Sequence, residues 1–298
     1  MLSPVIVGVD GSAESLAAAE WAAREAVRRD RPLRLVHAWG WHPRGHDGQP
    51  ANAAQRHLGR RVLRQAEERI RRAVPDVHLT DEQVEGPATA ALLKAVEQAE
   101  LLVLGSRGLS GFTGVLAGSV AQGVVAKATR PVVLVRTGEE DEHVPADNGG
   151  PSIRTGHRDV VLGIDLADAC DEVIEFAFEE AKLRRARLRV LYAWQPPSAI
   201  SLGSGDIALV NDPQRAEEWQ GFLHAVLVVW RDKYPGTEVL ETVVEGRAST
   251  ALVRAASAAS LLVVGRRLSD RPTLPRIGPV AHAAIHHVGC PLAVVPHE

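Results

Sequence analysis

The chain has 298 residues, of which 45% are hydrophobic and 24% are charged, an ordinary composition for a soluble globular protein. Its formal net charge of −3 argues against a nucleic-acid platform. No apolar run approaches the length of about 18 residues that a membrane span requires, and the first residues do not resemble a signal peptide. The two cysteines, Cys170 and Cys290, form no CxxC pair, so neither a disulfide framework nor a thiolate metal site is expected. We therefore expect a cytoplasmic protein that is not attached to a membrane.

Strands and helices alternate along the first half of the chain. Short runs that are almost entirely apolar predict buried strands, and apolar residues at helical spacing predict helices. The predicted strands are 5–9, 33–39, 77–84, 101–104 and 131–135, and the predicted helices are 12–29, 52–74, 88–97 and 119–129. This order is typical of a doubly wound parallel sheet, in which ligands bind beyond the carboxyl ends of the strands.

A glycine-rich turn follows the fourth predicted strand. It reads Gly105-Ser-Arg-Gly108, continues for nine residues, and ends with Gly118-Ser119 at the start of a helix. Glycines let the backbone approach a ligand closely, and the first N–H groups of a helix favour an anion. The turn therefore predicts a phosphate site.

The second half of the chain repeats the first. Residues 7–10 and 38–39 match 162–165 and 193–194 at an offset of 155, whereas 84–86 and 131–133 match 244–246 and 291–293 at an offset of 160. Self-similarity over the whole length indicates two copies of one domain. The corresponding strands lie near 159–165, 187–194, 237–244, 260–264 and 290–295. The predicted domains are 1–137 and 158–298, joined by a polar, acidic linker at 138–157.

The glycine-rich turn is altered in the second copy. There the chain reads Gly265-Arg-Arg-Leu268, nine residues, then Gly278-Pro279, so the spacing is kept while a glycine and a serine are lost. Pro279 has no N–H to donate to a phosphate. We therefore expect a phosphate-bearing ligand mainly in the first domain, although the retained Asp165 leaves a weakened site open in the second.

Four features together resemble the universal stress protein family. They are the Gly-x2-Gly-x9-Gly-Ser turn, Val9-Asp10 after the first strand, Val84-x-Gly86 before the third helix, and the closing run 131–135. The resemblance covers both halves, as in a tandem two-domain member. It implies two Rossmann-like α/β domains, each a five-stranded parallel sheet of order 3-2-1-4-5 flanked by helices. In the nucleotide-binding branch of the family it also implies ATP, with or without magnesium.

The same resemblance implies a set of ligand contacts. The adenosine contacts of the family fall on Asp10, Ala38 and Leu104, and its phosphate contacts fall on Gly105, Arg107, Gly108, Gly118, Ser119 and Val120. An arginine pairs well with phosphate oxygens, and a carboxylate after a parallel strand can accept hydrogen bonds from ribose hydroxyls. Family members also commonly associate through the last strand, which implies that 131–135 pairs with 290–295 within the chain. A further homodimer remains open.

Three functions remain open at this stage. The favoured one is a regulatory ATP-binding module in the stress response; the others are a slow ATPase or other nucleotide-processing enzyme, and a dimerisation scaffold without a ligand. The chain has no Walker motif and no paired carboxylate and base near the turn, so we assign no catalytic residue.

Several other side chains are interpreted as structural. His282 and His286 have metal-like i, i+4 spacing, but without an evident third ligand they are read as surface or interface residues, and no metal site is predicted. Trp39 and Trp194 are read as packing residues, and the two cysteines as small buried apolar residues.

Overall fold

The computed structural model describes residues 2–40, 48–106, 118–137, 158–196, 213–268 and 277–298. The strands of the first half are β1 Val5–Gly8, β2 Leu33–Trp39, β3 Leu79–Glu85, β4 Leu101–Gly105 and β5 Val132–Val135. Its helices are α1 Ala13–Arg28, α2 Gly48–Ala73, α3 Ala88–Val96 and α4 Ser119–Val125. The strands of the second half are β6 Asp159–Gly163, β7 Leu188–Trp194, β8 Val239–Glu245, β9 Ala259–Arg267 and β10 Leu292–His297. Its helices are α5 Asp171–Arg184, α6 Pro213–Lys233, α7 Ala248–Ala256 and α8 Pro279–His287.

The strands form one ten-stranded sheet of order β3-β2-β1-β4-β5-β10-β9-β6-β7-β8. Within each half the neighbouring strands are parallel, in the order 3-2-1-4-5. The predicted fold class is therefore confirmed. The linker assigned to 138–157 lies outside the described residues, so the domain boundaries stay a prediction.

The two halves meet through their last strands. β5 and β10 pair in antiparallel fashion, with Leu134 opposite Leu292 and Val132 opposite Val294. The expected pairing of the halves is confirmed. Because each of these strands now has neighbours on both sides, their edges are no longer available to a second chain. A homodimer stays a prediction, and it would need another surface.

Helices cover both faces of the sheet. α1, α2, α5 and α6 pack on one face, and α3, α4, α7 and α8 pack on the other. The buried apolar residues form one cluster on each face, and each cluster draws residues from both halves. The core is therefore continuous across the β5–β10 junction. Among the described residues, no helix combines the length and the apolar character that crossing a bilayer would require.

One helix is shorter than its sequence predicted. The helix expected over 119–129 ends at Val125. Arg266 of the second half donates to the backbone carbonyl oxygens of Ala126 and Ala128. These interactions satisfy acceptors at the end of the helix and bring a buried cation from one half against the backbone of the other.

A buried cluster of charges joins α1 to α5. We call it the interdomain charge cluster; it comprises Glu25 and Arg29 of α1 and Glu180 and Arg184 of α5. Arg184 Nη2 lies 2.8 Å from Glu25 Oε2, and Arg184 also contacts Glu180. Arg29 contacts the same two carboxylates, with its Nε 2.6 Å from Glu25 Oε1. Each arginine thus links the two halves.

The cluster follows the internal repeat. Glu25 and Glu180 occupy equivalent positions at the offset of 155, as do Arg29 and Arg184. Arg29 stacks over the ring of Phe176 at 5.5 Å, and Arg184 stacks over the ring of Trp21, an equivalent aromatic position, at 5.4 Å. The cluster is therefore a pseudo-twofold arrangement of four ion pairs and two cation–π contacts.

The pKa values of the two carboxylates are shifted in opposite directions. Burial alone would raise the pKa of Glu25, but the positive charges of Arg184, Arg29 and Arg28 lower it to about 2. Burial raises the pKa of its coupled partner Glu180. Because a lowered carboxylate pKa favours the folded state only when the group is ionised, the contribution of Glu25 is lost as the pH falls through about 2.

Arg184→Met is expected to destabilise the protein strongly, because it leaves two fully buried carboxylates with one fewer guanidinium partner. Breaking a buried pair in this way costs about 3–5 kcal/mol. Urea denaturation followed by circular dichroism measures the loss. Arg24→Met, which removes an exposed arginine from α1, is the control. Equal losses in the two variants would contradict a structural role for the cluster.

Candidate functional site

A cavity of about 570 Å³ opens in the first half, beyond the carboxyl ends of β1, β2 and β4. Seven of the nine residues predicted to contact nucleotide line it, namely Asp10, Ala38, Leu104, Gly105, Gly118, Ser119 and Val120. The other two, Arg107 and Gly108, lie outside the described residues. Residues from three strand ends and one helix start thus surround one space of a size typical for small-molecule sites.

Asp10 stands at the rim of this cavity in a hydrogen-bonded turn. Its Oδ1 accepts from the backbone N–H of Ser12 at 2.9 Å and from the Ser12 hydroxyl at 2.5 Å. The Ser15 hydroxyl accepts from the Asp10 N–H at 3.3 Å and donates to the Ser12 carbonyl oxygen at 3.0 Å. Gly11 allows the turn because its φ of +85° is unfavourable for other residues. The turn holds the carboxylate at the cavity, where it can accept further hydrogen bonds.

The structure explains the absence of a side chain at only one of the two glycines that bracket the cavity. A Cβ on Gly105 would lie 2.6 Å from the backbone carbonyl carbon of Glu14, so this position is glycine because α1 packs directly on it. Gly118, by contrast, caps α4 with φ −50°, and a Cβ there would meet no atom within 4 Å. Nothing in the described chain requires a glycine at 118.

Other lining residues were not predicted from the sequence. They belong to the Asp10 turn, to the inner face of α3 and to the first turns of α4, and are Ser12, Glu14, Ser15, Ala88, Leu92, Ala121 and Gln122. Those in the Asp10 turn and in α4 lie within five residues of a predicted contact, whereas Ala88 and Leu92 of α3 have no such signal in the sequence. Gln122 extends beyond the cavity, because its Nε2 lies 3.4 Å from Nε2 of His286 on α8.

The second half has a cavity of about 600 Å³ in the equivalent place. Asp165 repeats the turn of Asp10, with its Oδ1 accepting from the N–H of Ala167 at 3.0 Å. The strand that follows differs, however. β9 continues to Arg267, and the N–H of Leu268 still donates to the carbonyl oxygen of His297 at 2.6 Å. The backbone of the second half therefore stays within the sheet as far as Leu268.

The remaining candidate residues have local partners. His286 is buried, its ring lies 4.4 Å from that of His282, and burial lowers its pKa. The contact of His286 with Gln122 of the first half places it at the interface between the two halves. Trp39 and Trp194 are both buried, as packing residues should be. The cysteines differ from expectation: Cys170 and Cys290 are only half-buried, and Cys170 contacts polar groups.

Comparisons with known proteins agree with this architecture. The model of the universal stress protein family matches residues 1–136 and 156–296. A universal stress protein of Mycobacterium tuberculosis is 30% identical, with 97% of this chain and 94% of that protein covered. The crystal structure of a universal stress protein from Archaeoglobus fulgidus covers 100% of both chains, with a TM-score of 0.72 at 17% identity. A universal stress protein solved in complex with cAMP is 27% identical over 45% of this chain and 96% of its own, with a TM-score of 0.37.

The same substitution at the two glycines that bracket the cavity should affect stability very differently. Gly105→Ala should destabilise the protein by about 1–3 kcal/mol, because the new methyl group overlaps the α1 backbone. Gly118→Ala should change stability by less than about 0.5 kcal/mol, because the methyl group enters open space. Thermal unfolding of the ligand-free variants measures both effects. Similar losses in the two variants would contradict the assignment of Gly105 to helix packing.

Proposed function

Because the chain belongs to the universal stress protein family, we propose that it is a regulatory protein that binds ATP in its first half. The observation that carries the proposal is the grouping of Asp10, Gly105 and Ser119, far apart in sequence, around one cavity. A universal stress protein has been solved with cAMP, so adenine nucleotides are ligands within the family.

The cavity has an apolar side that suits a purine base. Val36, Ala38, Leu92 and Leu104 line it between β2, α3 and β4. A base placed there would remove apolar surface from water at about 25 cal/mol per Å². Asp10 at the rim would then accept hydrogen bonds from the ribose hydroxyls, as acidic residues do in related parallel-sheet folds.

The opposite side of the cavity suits phosphates. Gly118 leaves open space at the start of α4, the Ser119 hydroxyl can donate, and the first N–H groups of a helix have no partner within it. We include Arg107 and Gly108 in this part of the site on the basis of their spacing. Magnesium, when present, would bind through the phosphates, since Asp10 and Glu14 are the carboxylates among the described lining residues.

The second half is less suited to phosphate. Its first candidate donor position on α8 is Pro279, which has no N–H. The extension of β9 to Arg267 also keeps within the sheet the backbone that would otherwise surround a phosphate. We therefore propose one ATP per chain, in the first half.

Regulation, rather than catalysis, follows from the chemistry of the lining. Among the described lining residues of the first cavity there is no lysine, arginine or histidine, so none of them supplies the positive charge that stabilises phosphoryl transfer. The helix that would touch the phosphates also touches the second half through Gln122 and His286. Bound ATP would thereby favour one arrangement of α4 against α8.

The equivalent glycines of the two halves provide a matched test. Gly118→Val should weaken ATP binding by at least about a hundredfold, because two lost phosphate hydrogen bonds are worth about 3 kcal/mol or more. Gly278→Val makes the same change at the start of α8, also in open space, and should leave the affinity unchanged. Isothermal titration calorimetry with ATP and Mg²⁺ gives affinity and stoichiometry for the full chain.

The outcomes separate the alternatives. Two ATP molecules per chain, or a loss of binding confined to Gly278→Val, would overturn the assignment to the first half. Absence of ATP binding in the wild-type protein would overturn the proposal as a whole. Single-turnover ATP hydrolysis that disappears in Asp10→Ala would replace the regulatory role with an enzymatic one.

A further inference from the structure

Three potential metal ligands converge at the mouth of the second cavity. The side-chain ligand atoms of Asp168, Cys170 and His297 all lie within 4.8 Å of one another. Cys170 Sγ lies 2.9 Å from His297 Nδ1, and the thiol also lies 3.2 Å from the carbonyl oxygen of Asp168. We call these three residues the Asp-Cys-His cluster. They are distinct from the residues that line the first cavity.

The fold sets the position of each member. Asp168 ends a short 3₁₀ turn after β6, Cys170 caps the start of α5, and His297 is the last residue of β10. His297 is buried, with 9% of its surface exposed, and its ring rests against Gly265. A Cβ added to Gly265 would lie 2.9 Å from Nε2 of His297. Glycine at 265 thus leaves room for the imidazole, whose Nδ1 lies beside the thiol.

The first half lacks every member of this cluster. At the offsets of the internal repeat, the positions of Asp168, Cys170 and His297 correspond to Ala13, Ser15 and Thr137. Ser15 supports the Asp10 turn through its hydroxyl, whereas Cys170 contacts the histidine instead. The two halves therefore share the scaffold and differ in donor chemistry at the same place.

We propose that the Asp-Cys-His cluster binds one divalent transition-metal ion, for which Zn²⁺ is the best chemical match. Thiolate, imidazole and carboxylate are the three side-chain types that zinc prefers, and three protein ligands leave a fourth position for water. A tetrahedral ion separates sulfur and nitrogen ligands by about 3.5 Å, so the present pair needs to open by only about 0.6 Å. Binding displaces the thiol proton to solvent and forms the metal–sulfur bond.

The surrounding charges favour a cation, with one exception. Asp165 lines the same cavity, and the carboxylates Asp171 and Glu172 follow Cys170 in the first turn of α5. Arg267 opposes a metal, because its Nε lies 3.1 Å from Asp168 Oδ2. The side chain of Arg267 is 63% exposed, so it can leave the carboxylate for water when a metal arrives. Removing this competitor should strengthen binding.

Cobalt titration of the full chain tests the site directly. Co²⁺ should bind with one equivalent per chain and produce the charge-transfer absorption band of a cobalt–thiolate bond. Cys170→Ser should abolish that band, and His297→Ala should weaken Co²⁺ binding at least tenfold. Cys290→Ser, the matched control, should retain the band, and Arg267→Gln should bind Co²⁺ several-fold more tightly.

Thiol alkylation of the wild-type protein gives a second readout that needs no variant. Zn²⁺ should protect Cys170 from iodoacetamide and leave the rate at Cys290 unchanged, as peptide mass spectrometry can measure. A wild-type protein without the cobalt–thiolate band, a band that survives in Cys170→Ser, or equal protection of both cysteines would each overturn the proposal. None of these results depends on whether the first half binds ATP.

Discussion

The antiparallel pairing of β5 with β10 is the constraint on which the rest of this structure depends. A five-stranded parallel sheet of either half would expose the backbone hydrogen-bonding groups of an apolar last strand. Pairing satisfies those groups and creates the pseudo-twofold relation between the halves. The same relation places α1 against α5, so that equivalent ion pairs meet away from water. Two domains that could each have folded separately thereby share one core and one buried set of charges.

The interdomain charge cluster shows how equivalent residues of a duplicated sequence can stabilise the pseudo-twofold arrangement of the two halves. Glu25 and Arg184 are useful to each other only when the two halves adopt this arrangement. Any other docking would leave fully buried charges without partners, which is far more costly than the loss of an exposed salt bridge. The stacking of Arg29 on Phe176 and of Arg184 on Trp21 further restricts how the two halves can be arranged. Burial thus makes the cluster a determinant of how the halves orient.

With the scaffold held by the core, the chemistry at the strand ends is able to diverge. Both halves leave open space at the glycine that precedes the helix, but the second begins that helix with Pro279 and places His297 beside Gly265. One cavity consequently has an apolar wall facing backbone amides, and the other has a thiol, an imidazole and carboxylates at its mouth. Differences at a few positions are sufficient because ligand chemistry in this fold depends on side chains at the carboxyl ends of the strands.

Periodicity and self-similarity by themselves predicted the strands, the helices and the duplication, because these follow from local apolar patterns, whereas the strand order was implied by the family resemblance. The glycine-rich turn that ends at Ser119 indicated a phosphate site, and the resemblance added Asp10, Ala38 and Leu104, which now line the first cavity. The tertiary structure alone decided what depends on approach through space. Cys170 and His297 are 127 residues apart and share no motif, and the end of α4 at Val125 depends on an arginine from the other half. Glycine at 105 looked like a phosphate contact, but its missing side chain is explained by the α1 backbone. Sequence records which groups are available, whereas packing determines which of them meet.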